Sequence, residues 1–144
     1  MKQIQQRSKG LHITLWIAQL LLAAMFLMSG FMKVAQPIDQ LSQMLPWTAQ
    51  VPEALVRFIG IAEILGAVGL IFPSLFRIQP KLTPMAALGL AVVMLFAVFF
   101  HVSRGETPAI GMNFVLIAIA AFIAWGRFKK APIASKASNQ RVRG

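Results

Sequence analysis

Residues 52–72 read PEALVRFIGIAEILGAVGLIF, an apolar run that nevertheless carries Arg57 and Glu63 among regularly placed glycines. About 20 mostly apolar residues cross the roughly 30 Å of bilayer hydrocarbon, so the run is long enough to span. Charges inside a span are costly and as a rule face a bundle interior, a partner charge or a water-filled path. The stretch therefore predicts both the fold class, a membrane helix bundle, and the place to look for function.

Working outward, three further runs qualify as spans, so the four lie at about 13–32, 54–72, 82–100 and 109–125. Pro52 precedes the second, Pro73 is expected to close it, Pro80 and Pro84 bracket the start of the third, and Pro108 sits just before the fourth. Hydrophobic residues make up 58% of the 144 and charged residues only 12%. A soluble domain carries about a quarter charged residues, so composition agrees with the runs. The expectation is an all-α transmembrane four-helix bundle in residues 1–126, followed by a basic, disordered or surface-bound tail in 127–144. The first span exceeds a typical signal-peptide core and shows no A-x-A cleavage site, so it reads as a retained anchor.

The net charge of +10 would suggest nucleic acid in a soluble chain. Here the basic residues follow membrane topology instead, and no nucleic-acid partner is expected. Lys2, Arg7, Lys9, Arg77, Lys81, Arg127, Lys129, Lys130, Lys136, Arg141 and Arg143 fall on the side of the termini, eleven in all, against Lys33 and Arg104 on the other. That asymmetry predicts that both termini are cytoplasmic. The expected location of such a multi-pass chain is a bacterial cytoplasmic membrane. With no cysteine, the chain offers no thiolate catalysis, thiol exchange or thiolate metal site of its own.

At about 100° per residue, Glu53, Gly60, Ala67 and Glu63 lie about 40°, 60°, 80° and 120° round the second span from Arg57. The polar arc is thus interleaved with small residues, Gly60 and Gly66 among them, which let a neighbouring helix approach. Arg57 and Glu53 are four apart and can pair along the helix. Glu63 lies about 15 Å into the membrane, where a carboxylate needs a cation or donors. Ser29 and Lys33 near the end of the first span, His101 at the end of the third and Asn113 inside the fourth are expected in the same outer half. These seven, Arg57, Glu63, Glu53, Asn113, Ser29, Lys33 and His101, form the candidate polar site. The alternatives are structural: Lys33 and Arg104 snorkelling to the interface, His101 as an interfacial polar tip, Ser29 and Asn113 as helix–helix contacts, and Arg57 with Glu63 as an ion pair locking the bundle. No His spacing suggests a metal, and no phosphate loop, haem pair or nucleophile elbow is present, so independent enzymatic activity is not expected. In the loop 34–51, Ile38, Leu41, Met44, Leu45 and Trp47 fit a short interfacial helix broken at Pro46 as well as a plain surface loop.

With these residues placed, the chain resembles the DoxX-like family of small four-helix membrane proteins. The resemblance rests on S-G-x-x-K (Ser29, Gly30, Lys33), R-x-x-G-x-x-E-x-x-G (Arg57, Gly60, Glu63, Gly66), R-G-E (Arg104, Gly105, Glu106) and the G-R after Trp125, over about residues 15–127. It implies an accessory or small subunit of a membrane redox system. Some members are linked with a thiosulfate:quinone oxidoreductase or with oxidative-stress complexes. Others are connected with membrane-protein assembly, which implies a scaffold as the alternative. The partners so implied are the lipid bilayer and a membrane oxidoreductase or a second copy of the chain. A quinone is the cofactor to consider, in a pocket lined by Arg57, Glu63 and Asn113, although the resemblance transfers no quinone site residue by residue. A proton-coupled transporter is a third reading, weakened because small four-helix exporters carry their acid in the first span.

Overall fold

Ser8 opens the first helix, its Oγ accepting from the Leu11 amide at 3.3 Å. In the computed structural model, which describes residues 8–137 and 141, α1 then runs Lys9–Ala35. A short α2 (Ile38–Met44) and a 3₁₀ turn (Pro46–Ala49) follow, then α3 (Glu53–Phe76), α4 (Leu82–Ser103) and α5 (Thr107–Trp125). No strand occurs among the described residues. α1, α3, α4 and α5 are long and apolar enough to cross a membrane, and the chain is a multi-pass integral membrane protein.

The four long helices alternate in direction and pack in the order α1, α3, α4, α5, with α5 returning to α1. One end of the bundle, called basal below, holds the start of α1 and the end of α5. The distal end holds α2. Leu22, Phe26, Leu70, Leu90, Met94 and Ile123 fill the centre, while Phe58, Leu65, Met28, Phe96 and Phe99 point outward at 65–70% exposure. Apolar residues on both the inside and the outside are what a lipid solvent permits, because a soluble protein rarely exposes so many large apolar side chains together.

Proline does not end α3 where the sequence suggests. The helix continues through Pro73 to Phe76 and closes on Arg77 in the left-handed region, whose amide donates to the Pro73 carbonyl. Pro73 removes one hydrogen bond, but membrane helices tolerate this where neighbours hold the freed segment. Two contacts hold it here. Ser74 and Thr83 hydroxyls lie 2.6 Å apart, tying the last turn of α3 to α4, and Gln19 Nε2 of α1 donates to the Leu70 carbonyl at 2.7 Å. The loop over the distal end is helical, with Leu41 fully buried and Trp47 edge-on to Phe100 at 6.0 Å. At the other end, α5 passes into a π-helical turn, Gly126–Lys130, which carries Arg127 back into the bundle. Of the basic residues counted at that end, Lys2, Arg7 and Arg143 lie outside the described residues.

Candidate functional site

The charge cluster is built by the crossing of α1 and α3. A helical side chain leans toward the N-terminus of its own helix. Lys33 lies in the last turn of α1, so its stem points back into the membrane. Its ammonium donates to Ser29 Oγ, one turn earlier, at 2.6 Å. Glu63 lies on antiparallel α3 and leans the opposite way, toward the distal end. The two meet, with Lys33 Nζ donating to both Glu63 oxygens at 2.9 and 3.0 Å. Lys33 is 6% exposed and Glu63 only 2%. The snorkelling expected as one alternative for Lys33 is therefore overturned. Its direction along α1 takes the amine away from the distal interface.

Arg57 does not pair with Glu63. It reaches over the end of α1 instead, where Nη1 donates to the carbonyls of Lys33 at 2.8 Å and Gln36 at 2.7 Å. These belong to the last turn and C-cap of α1, whose carbonyls carry the negative end of the helix dipole. Nη2 donates to Glu53 Oε1 at 2.9 Å, the i,i+4 pair expected along α3. The geometry follows from α3 itself: Arg57 and Glu63 are about 9 Å apart along the axis and about 120° apart round it, so each takes a partner from α1.

Two glycines make the crossing possible. A Cβ on Gly30 would lie 2.6 Å from the Gly60 carbonyl oxygen, and one on Gly60 would lie 2.8 Å from the Gly30 oxygen and from Lys33 Cβ. The backbones of S-G-x-x-K and R-x-x-G-x-x-E thus touch directly, which is the small-residue packing that membrane helices use. Gly66 serves α4 rather than α1, since a Cβ there would fall 2.5 Å from Leu90 Cδ2.

The remaining candidates stand apart. His101 Nδ1 contacts Glu106 Oε2 at 2.6 Å, and Arg104 Nε donates to Glu106 Oε1 at 2.8 Å. The Arg104 hydrogen bond, and then that of His101, holds the Glu106 carboxyl below its ordinary range. His101 is therefore not a bare polar tip but one member of a distal triad closing the α4–α5 turn. Arg104 likewise does not merely snorkel. Asn113 is buried on α5, and its Nδ2 has no hydrogen-bond partner among the described residues. No hydrogen bond or ion pair among the described residues joins His101 or Asn113 to the Lys33–Glu63 pair.

A second polar network, at the basal end, is built on the arginine of the G-R motif after Trp125, whose partners the motif does not reveal. Arg127, 3% exposed, donates from Nε to Gln19 Oε1 at 2.6 Å and from Nη1 to the Ala131 carbonyl at 3.0 Å. Its Nη1 also lies 2.9 Å from His12 Nδ1, and the guanidinium sits over the Trp16 ring at 5.6 Å. The available signal was Gln19, a lone amide deep in the first span, which had to find a partner.

Every charge deep within the spans is thus held by groups of the same chain. A family model of DoxX-like proteins matches residues 17–123. The chain belongs to the DoxX-like family. The Lys33–Glu63 cluster and both glycines of the crossing lie within the matched segment of this DoxX-like protein, whereas His12 and Arg127 lie outside it. A search of curated proteins and a search of solved structures found no match.

Proposed function

We propose that this DoxX-like protein is a non-catalytic accessory subunit of a membrane complex, and that the complex is a quinone-linked redox system. It would lie in a bacterial cytoplasmic membrane with its basal end at the cytoplasm, the orientation supported by the eleven-to-two distribution of basic residues. One observation carries the non-catalytic reading: both oxygens of Glu63 accept from Lys33, and Arg57 is engaged by Glu53 and the end of α1. A general base, nucleophile or proton carrier must be reachable by its substrate, and Glu63 is only 2% exposed. The same pairing speaks against proton-for-cation exchange at Glu63.

Asn113 favours a quinone contact over a purely architectural role. A buried amide without an acceptor costs about 1–3 kcal/mol, and a quinone carbonyl is an acceptor of the kind it lacks. The scaffold reading assigns the same residues to stability alone.

The test is native mass spectrometry of the tagged protein extracted from its own membranes in mild detergent. A bound quinone or co-purifying oxidoreductase, lost in a well-folded Asn113→Leu variant, supports the redox subunit. A bare homo-oligomer carrying only phospholipid sinks that reading in favour of the scaffold. Normal abundance of Glu63→Gln with lost quinone-linked oxidation would make Glu63 a working group and overturn the non-catalytic assignment.

A further inference from the structure

The turn joining α3 to α4 carries two non-glycine residues with positive φ. Arg77 and Gln79 both adopt left-handed φ values, 57° and 49°, without being glycine. Such conformations cost about 1–3 kcal/mol each and gather at ligand clamps and switch regions. Here they fold the turn so that Arg77 and Lys81 face one concavity of about 540 Å³, which Arg127 and Lys136 also line and to which no acidic residue contributes. The chain after α5 is strapped across this turn. Arg77 Nε donates to the Ala134 carbonyl at 2.8 Å, and the Lys136 amide donates to the Arg77 carbonyl at 3.0 Å. The strap brings Lys136 to the cavity, yet the ammonium groups of Lys81 and Lys136 make no hydrogen bond or ion pair among the described residues. Four cations converge on a cavity whose lining offers no carboxylate.

Beside it lies a second, apolar concavity of about 590 Å³ between α3 and α4, lined by Leu65, Val68, Phe72, Phe76, Leu82 and Met85. Ile78 lines both, so the two adjoin at that side chain. From Leu65 to Phe76 the groove follows about 17 Å of helix, close to the roughly 15 Å of one leaflet's hydrocarbon. Gly69 forms part of its floor, where α3 and α4 approach so closely that a Cβ would lie 2.8 Å from Ala86 Cβ.

We propose that this composite site binds one anionic phospholipid. Its phosphate would rest among Arg77, Lys81 and Lys136, and one acyl chain would lie in the α3–α4 groove. The apolar groove selects a lipid over a free anion, and the all-cationic cavity selects an anionic headgroup over a choline, whose own cation would be repelled.

The test uses the full-length protein in mild detergent, titrated with phosphatidylglycerol, phosphatidylcholine or inorganic phosphate and read by native mass spectrometry. Phosphatidylglycerol should be retained in preference to phosphatidylcholine. Lys81→Gln with Lys136→Gln should lower that preference about 30-fold, the loss expected for two basic residues at an anionic headgroup. Lys9→Gln with Lys129→Gln removes the same charge from the same end and should change it less than about threefold. Met85→Trp, which fills the groove and leaves the cations in place, should weaken phosphatidylglycerol retention several-fold. Equal losses in the two lysine pairs would reduce the effect to the general field of the basal end and overturn the site. Inorganic phosphate retained as well as phosphatidylglycerol, or a Met85→Trp variant that binds as wild type, would overturn the lipid assignment.

Discussion

Glu63→Gln replaces a buried carboxylate by an isosteric neutral amide and leaves the Lys33 ammonium with Ser29 and one amide oxygen. Removing one partner of a buried pair costs about 3–5 kcal/mol. Glu63→Gln and Lys33→Met should therefore each destabilise by about 3–5 kcal/mol. For a chain of this size that is on the order of 10 °C in melting temperature. The double variant Lys33→Met with Glu63→Met buries no unpaired charge and should melt near the wild type, because apolar replacement of a buried pair is often neutral or stabilising.

Circular-dichroism melts of the four proteins in one detergent at neutral pH test this directly. Single variants melting within about 2 °C of wild type, or a double variant no better than the worse single, would refute the buried pair as the lock between α1 and α3.

Gly60→Ala should destabilise by about 1–3 kcal/mol through overpacking against the Gly30 carbonyl and Lys33. Gly89→Ala, where a Cβ would meet nothing within 4 Å, should gain up to about 1 kcal/mol in the same melts. Arg127→Gln should cost about 1.5–3 kcal/mol, and Arg127→Lys should not restore it, because a single ammonium cannot reproduce the forked donation to Gln19 and Ala131. The Glu106 carboxyl lies below its ordinary range in the folded protein, chiefly through Arg104 and then His101. Its stabilisation is therefore complete above the ordinary carboxylate range and lost as the pH falls through the depressed value. Glu106→Gln should flatten this acid-side slope of melting temperature against pH, and an unchanged slope would remove Glu106 as its source.

Much of the fold is legible because lipid makes the signal simple: long apolar runs between proline and basic punctuation become the four helices. The ends are less legible. Pro73 reads as a terminus in isolation, but Gln19 and Thr83, distant in sequence, stabilise the turn around it. Arg127 reads as the first residue of a solvated basic tail, yet the π-helical turn after Trp125 folds it onto Gln19. Neither outcome follows from local composition, since each depends on which helix is the neighbour.

The partner of Glu63 was legible in principle, by a rule other than angular position. Angular position groups residues of one helix and so favours Arg57, which shares α3. Side-chain direction decides between helices. On antiparallel neighbours, a residue near the C-terminal end of one and a residue in the middle of the other lean toward each other if the first lies nearer the membrane surface. Lys33 and Glu63 meet that condition, and Arg57 and Glu63, both leaning toward the distal end, do not. The same rule sends Arg57 outward to the carbonyls ending α1, and sends Arg127 inward from the basal end to meet a Gln19 that leans toward it. The Lys33–Glu63 and Arg127–Gln19 contacts thus both arise where side chains of antiparallel helices point head to head. Such pairs are the first place to seek partners for intramembrane charges in a four-span chain.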